Sequence, residues 1–308
     1  MFRIIGETNI NFIGVRKVAF IFSLCLVALG IYAFIMISTG HGNLGIDFAG
    51  GVMVQGHFQN KVSIEDLRGK LIPEFSDVQV TQITDFKEPN AFIIKTKSPE
   101  TEEAGRERLA RIETVIKESF SGNNFIVDSE HIIGPAVGKS LRKDARWAVL
   151  ISIIGILIYI GFRFDFRSGV AATIATFHDV LAVLGIFYVL NIEFDLLIVT
   201  ALLTLAGYSL TDTVVVYDRI RENLKKFRAK GEFIWSVNKS INDVLSRTFN
   251  TSLTTLFVVL MLFFFGGEVL RYFSLAIILG VIVGTYSSIF VASPIVVEWE
   301  ARSPKRFK

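Results

Sequence analysis

The chain alternates between long apolar runs and stretches dense in charge, and this alternation sets its first division. Six runs approach the ~20 apolar residues a helix needs to cross a bilayer. They are Val18–Ser38, Trp147–Phe162, Gly169–Leu190, Leu196–Tyr217, Phe249–Phe265 and Phe273–Val297. Arg16 and Lys17 give the first run the look of a secretory leader. It is too long for one, and Ser-Thr-Gly-His-Gly follows it where a small-x-small cleavage site would stand, so it is taken as an uncleaved first span.

Residues 39–146 have the composition of a water-exposed domain. Val52–Phe58, Val78–Thr84, Phe92–Lys97 and Phe125–Ile133 carry strand patterning. Ser63–Phe75 is a short helix opened by a Ser cap with Glu65 and Asp66 in its first turn, and Glu100–Phe120 is a helix with Leu109, Ile112, Ile116 and Phe120 on one face. The order βαββαβ predicts a small ferredoxin-like sandwich. The expected fold is therefore an α-helical integral membrane protein with six transmembrane helices and a small α+β ferredoxin-like domain between helices one and two. Residues 218–246 carry Ile220, Leu224, Phe227, then Ile234, Val237, Ile241 and Val244 at helical spacing, broken at Lys230-Gly231. They predict two amphipathic helices against the membrane or the spans.

Charge orients the spans. Arg3, Arg16 and Lys17 precede the first; Arg163 and Arg167 lie between the second and third. Arg219, Arg221, Lys225, Lys226, Arg228, Lys230, Lys239 and Arg247 lie between the fourth and fifth, and Arg302, Lys305, Arg306 and Lys308 close the chain. The alternate loops, 191–195 and 266–272, hold only Arg271. Residues 1–17 and 298–308 are thus expected in the cytoplasm and residues 39–146 on the far side, periplasmic in a bacterium. The basic residues of 218–246 could suit an acidic lipid or a cytosolic partner, but positive-inside retention is the simpler and preferred explanation.

Composition sharpens this picture. The 308 residues are 51% hydrophobic with 28 Phe, yet 20% are charged. That mixture fits neither a soluble domain nor a chain wholly in lipid. Lys plus Arg is 32 against 29 for Asp plus Glu, so net charge does not point to nucleic acid. The lone cysteine, Cys25, excludes an intrachain disulfide framework. No metal-ligand cluster, nucleophile–base pair or Walker A loop is evident, and no cofactor is expected.

What remains are ionisable residues inside apolar runs. His178 and Asp179 lie mid-span, and Asp212 lies in the cytoplasmic half of the fourth span. A charge at mid-bilayer costs about 2.5–3.5 kcal/mol even on a lenient scale, so such groups face protein or water and commonly move ions. Tyr208, Ser209 and Thr213 give the helix around Asp212 a polar face. Arg247, Asn250, Thr251 and Thr254 share one face at the start of the fifth span. Asp212 and Arg247 are expected at similar depth, close enough to pair across a groove, so that making and breaking the pair would couple proton binding to conformation. Buried polar residues also cement helices, and His178-Asp179 could merely bond a neighbouring backbone. Asp218 and Arg219 are expected to be interfacial anchors. Gly280 and Gly284 form a GxxxG packing pattern.

The run Leu44-Gly45-Ile46-Asp47-Phe48-Ala49-Gly50-Gly51 resembles the signature of the bacterial SecD/SecF protein-export family. Phe177-His178-Asp179-Val180, Gly207-Tyr208-Ser209-Leu210-Thr211-Asp212-Thr213 and Val216-Tyr217-Asp218-Arg219-Ile220-Arg221-Glu222-Asn223 resemble its SecF members, as do Ser246-Arg247-Thr248 and Ser287-Ser288-Ile289-Phe290-Val291-Ala292-Ser293. The resemblance covers essentially the whole chain. It implies a non-enzymatic, RND-like subunit of the bacterial inner membrane that works with SecD beside the SecYEG channel, with SecA hydrolysing ATP and YajC as a further partner. It also implies that a proton or sodium gradient assists preprotein translocation, with Asp212 as the ion-coupling residue and Arg247 as a functional Arg. Thr211 stands where many members have Asn, which leaves the choice of ion open. An intramembrane aspartyl protease built on Asp179 and Asp212, or a purely structural assembly subunit, are the alternatives; the first lacks the Gly-x-Gly-Asp such a protease carries.

Overall fold

The computed structural model describes residues 6, 8–83, 90–97, 101–226 and 233–303. Expectations that fall on Arg3, Thr84, Glu100, Phe227, Arg228, Lys230, Gly231, Lys305, Arg306 and Lys308 lie outside the described residues.

A single 3-10 turn, Ile13–Val15, leads into α1 (Arg16–Ser38). The signature run then forms one short turn, α2 (Ile46–Ala49), and passes directly into β1 (Gly51–Phe58). α3 (Ile64–Leu71), β2 (Gln79–Ile83), β3 (Ala91–Thr96), α4 (Glu102–Ser119) and β4 (Phe125–Ile133) follow. Both αβ-unit helices start on side-chain caps: Ser63 Oγ accepts from Asp66 N and Thr101 Oγ1 from Ala104 N, each satisfying a donor that its helix cannot. The strands pair antiparallel in the order β2-β3-β1-β4, with a bulge between Gln55 and Gly56 opposite β4. Alternation along β1 turns Val52 and Val54 inward to join Phe92 and Ile94, and Leu67, Leu71, Ile112 and Ile116 cover them from the helices.

The rest is a helical bundle: α5 (Pro135–Arg163), α6 (Phe166–Val189), α7 (Leu196–Lys226), α8 (Phe233–Phe265) and α9 (Gly267–Ser287). One π-turn, Ser288–Ala292, joins α9 to α10 (Ser293–Arg302). With α1, and counting α9 to α10 as one, six helices among the described residues are long and apolar enough to cross a membrane. Two expectations change here. The second span is the end of a helix that already begins at Pro135, where a proline suits the first turn. Residues 218–226 and 233–246 are not separate surface helices but continuations of α7 and α8, since no Gly or Pro stands where the polar segment meets either span. They pack on one another: Asn223 Nδ2 donates to Ser240 Oγ at 2.9 Å and Arg219 pairs with Asp243 at 2.8 Å. Asp218 and Arg219, expected as anchors, make ties between helices, with Arg163 gripping both Asp218 oxygens at 2.6 Å.

Burial divides the helices. α6, α7 and α9 form the interior, whereas α1, α5 and α8 expose large apolar side chains such as Ile21, Leu24, Ile151, Phe162, Phe257 and Phe265, as a lipid-facing surface would. Small residues permit the close approaches. A Cβ on Gly30 of α1 would overlap the Leu181 carbonyl oxygen of α6, so these two backbones touch. Gly280 and Gly284 both aim at α7, where a Cβ would meet Leu205 and Ser209 respectively.

Candidate functional site

Among the described residues two carboxylates lie inside the bundle, and the helices treat them differently. Asp179, in the middle of α6, is fully buried. His178 Nδ1 lies 2.8 Å from one of its oxygens, and Ser287 at the end of α9 donates to the other at 2.7 Å. Ser209 of α7 donates to that second oxygen as well. A buried carboxylate is tolerated only when its lone pairs are met, and three side-chain partners from three helices meet them here. The His178 ring also packs against Tyr286, whose hydroxyl donates to the Ala19 carbonyl at 2.9 Å and so ties α1 to the same node. Immediately after Ser287 the helix widens into the π-turn, where Ser293 Oγ donates to the Ser288 carbonyl at 2.9 Å. Such turns replace a lost ladder bond locally, and Pro294, which has no N–H, removes one here.

Asp212 has much less. It is 4% exposed, and its partner among the described residues is Ser252 of α8, which donates to it at 3.3 Å. Ser252 Oγ also lies 2.7 Å from Thr285 Oγ1, and Thr285 Oγ1 lies 2.7 Å from the Val281 carbonyl. Two hydroxyl protons thus serve three acceptors. Arrangements in which Ser252 donates to Asp212, with Thr285 donating to Ser252 or to Val281, suit an ionised Asp212; the one in which Ser252 donates to Thr285 and Thr285 to Val281 suits a protonated one.

The expected pairing of Asp212 with Arg247 is not what the structure has. Arg247 is exposed, and no ion pair joins the two among the described residues. The reason is helix phase: Val244, Thr248, Ser252 and Val259 form the buried face of α8, leaving Arg247, Thr251 and Thr254 on the outer face. Asn250 and Tyr208 are half-buried, and Asn250 Oδ1 and the Tyr208 hydroxyl have no partner among the described residues. Thr211 is exposed and returns its hydroxyl to the Gly207 carbonyl at 3.2 Å. Thr200, Thr204, Gly207 and Thr211 therefore mark a small, polar, outward stripe on α7, as Arg247, Thr251 and Thr254 do on α8. Ser252 and Thr285 were not singled out by sequence reasoning, because α8 carries hydroxyls on both faces and the pattern alone does not phase it.

Gly45, Asp47, Gly50 and Gly51 lie apart from both carboxylates, at the junction of the αβ unit and the bundle. Gly45 N donates to the Phe194 carbonyl at 2.9 Å, and Asp47 Oδ2 accepts from Leu196 N at 3.0 Å. Gly50 has a φ of 81°, and a Cβ on Gly51 would lie 2.5 Å from the Thr96 carbonyl. Glycine is required at both.

No hydrogen bond joins Asp179 to Asp212 among the described residues, each binding its own hydroxyls, so the shared proton of an aspartyl dyad is not formed. A bundle with acids buried between apolar helices and a water-exposed αβ unit on one end defines a multi-pass membrane protein of the transport class. The family described as Protein export membrane protein SecD/SecF, C-terminal, matches residues 112–302. A protein translocase subunit SecF from Thermodesulfovibrio yellowstonii is 49% identical over 298 residues, covering 96% of each chain. One from Vibrio alginolyticus is 41% identical over 295 residues, covering 95% of this chain and 91% of its own. The crystal structure of SecDF from Thermus thermophilus superposes with a TM-score of 0.79 at 39% identity, covering 96% of this chain, which spans 39% of that longer one. The chain belongs to the SecD/SecF family of protein-export membrane proteins, and protein transport is its field of action.

Proposed function

We propose that the chain acts as a SecF-type subunit that uses an ion gradient across the bacterial inner membrane to assist preprotein translocation. On this reading a SecD bundle is its partner, the SecYEG channel lies beside the pair, SecA supplies ATP hydrolysis, YajC is a further partner, and this chain is not an enzyme. Both termini are cytoplasmic, as the Lys and Arg at the α5–α6 and α7–α8 ends favour. The αβ unit is periplasmic and ferredoxin-like, a proposal supported by its strand order β2-β3-β1-β4.

The observation that carries the proposal is the under-met carboxylate of Asp212, with one 3.3 Å hydroxyl contact inside an apolar bundle. A group so held can take up and release a cation, proton or sodium, at low structural cost, whereas Asp179 is engaged by its neighbours. The outward stripe of Thr200, Thr204, Gly207 and Thr211 with Arg247, Thr251 and Thr254 is a poor lipid surface and a suitable seat for the second bundle. Arg247 then acts toward that seat, as a counter-charge near the ion path, and Thr211, Tyr208 and Asn250 line it.

Asp212→Asn in membrane vesicles tests the proposal. Gradient-dependent export should be lost while the subunit level and co-purification of SecD stay normal. Normal export from that variant would refute ion coupling through Asp212, and loss of assembly would favour a purely structural role.

A further inference from the structure

The signature run is not absorbed by the ion site, yet it holds the helix that carries it. Leu196 N–H belongs to the first turn of α7, where a helix leaves its donors unmet. It donates to Asp47 Oδ2 at 3.0 Å, while a nearby donor, Ile198 N–H, goes to Asp195 Oδ1 at 2.9 Å. Asp195 is the cap that α7 brings for itself; Asp47 is a second carboxylate delivered from 149 residues away to the positive end of the helix dipole.

Around this contact the grip is continuous. Gly45 N donates to the Phe194 carbonyl at 2.9 Å, Phe194 N to the Asn43 carbonyl at 2.7 Å, and Asn43 Nδ2 to the Asn191 carbonyl at 3.1 Å. Phe48 stacks on Phe194 with ring centres 6.0 Å apart. From the sheet, Lys95 on β3 reaches Glu193 at 3.3 Å. On its other side the run has no slack: Gly51 is pressed on Thr96 of β3, and a Cβ on Gly138 of α5 would lie 3.0 Å from the Phe48 carbonyl. The run is therefore packed against the sheet and α5, with Asp47 at its contact with α7. From Leu196, α7 runs unbroken to Lys226. Asp212 lies roughly 24 Å along it, at about 1.5 Å of rise per residue.

We infer that Asp47 is a positioning residue that, with the Lys95–Glu193 pair, clamps the start of α7 to the αβ unit, so that displacement of the Asp212 helix is passed to that unit. The inference rests on ion coupling through Asp212. A helix moves as a rigid body over this length, and a clamp made of main-chain bonds and two carboxylate contacts transmits its displacement where a free loop would absorb it.

The test uses the full chain with its SecD partner in sealed vesicles and reads two quantities: ion flux, by a pH-sensitive dye or a sodium indicator, and translocation of a preprotein. Asp47→Ala, and Lys95→Ala with Glu193→Ala, should keep most of the flux and lower gradient-driven translocation about fivefold. Asp47→Asn keeps an acceptor for Leu196 N–H, and the exchange Lys95→Glu with Glu193→Lys keeps a pair; both should retain translocation. Flux and translocation falling in equal proportion, or neither falling, would overturn the clamp, as would failure of both conservative variants to retain translocation. Asp212→Asn is the separate control: if it keeps full flux, the coupling reading fails, whatever the Asp47 variants do.

Discussion

Ser209 and Asp212 lie one turn apart on α7, yet their side chains belong to two different hydrogen-bond groups. Ser209 gives its hydroxyl to Asp179 across to α6, and Asp212 takes one from Ser252 across to α8. The same helix therefore joins a saturated carboxylate on one side to an under-met one on the other. α9 closes both groups, through Ser287 and Thr285. On the proposed reading, an ion exchanged at Asp212 would be felt by α8 and α9 while the Asp179 node keeps α6, α7 and α9 in register.

The two acids should differ in what they hold together. Asp179→Ala leaves His178 and two hydroxyls buried without their acceptor and is expected to cost about 3–5 kcal/mol. Asp212→Asn removes a charge that has one long contact and should change stability by no more than about 1 kcal/mol. Thermal unfolding in one detergent compares them, and equal losses would contradict the division drawn above.

Helix approach gives a second, independent check. Gly30→Ala sets a methyl into the backbone carbonyl of Leu181, which cannot turn aside, whereas in Gly284→Ala the methyl meets Ser209 Cβ at 3.3 Å. The first should destabilise the bundle by about 1–3 kcal/mol and the second by clearly less. The same unfolding measurement reads both, and the reverse ranking would show that α1 is free to shift on α6.

The loop before α7 should respond to pH. Burial pushes the Asp195 carboxyl above its ordinary value; the Ile198 N–H and Lys95 pull it down, and Asp47 and Glu193 push it up again. An acid raised in the fold stabilises fully below the ordinary aspartate range, and that contribution is lost as pH climbs through the raised value. After correction for intrinsic rates, amides of 196–199 should be better protected from hydrogen exchange at about pH 5 than at about pH 8. Asp195→Asn keeps an acceptor for Ile198 N–H and should flatten this difference. An unchanged profile would exclude Asp195 as its source.

Much of the fold was legible because hydrophobic period is a local property. The apolar runs marked all six spans, and the Ser63 cap and the alternating strands marked the αβ unit. Boundaries failed where helices continued through polar sequence, as α5 does from Pro135 and α7 does to Lys226, because a helix needs no apolar face to persist once tertiary contacts hold it. Asp179 and Asp212 stood out from the sequence pattern alone, since a carboxylate in an apolar run is visible without partners; the glycines of the signature run stood out only through the family resemblance.

The partners themselves are set by rotation of one helix against another, which no single segment encodes. Arg247 and Ser252 are both on α8 and both plausible toward Asp212; packing of Val244, Thr248 and Val259 against the bundle turned Ser252 inward and Arg247 outward. Likewise nothing near Asp47 in sequence names Leu196 as its donor. The order of residues was enough to say where the chain is apolar, where it is charged and which acids are misplaced in an apolar run. Which of those acids is saturated with hydrogen bonds and which is under-met was settled by packing, because hydrogen-bond satisfaction is counted across helices and not along them.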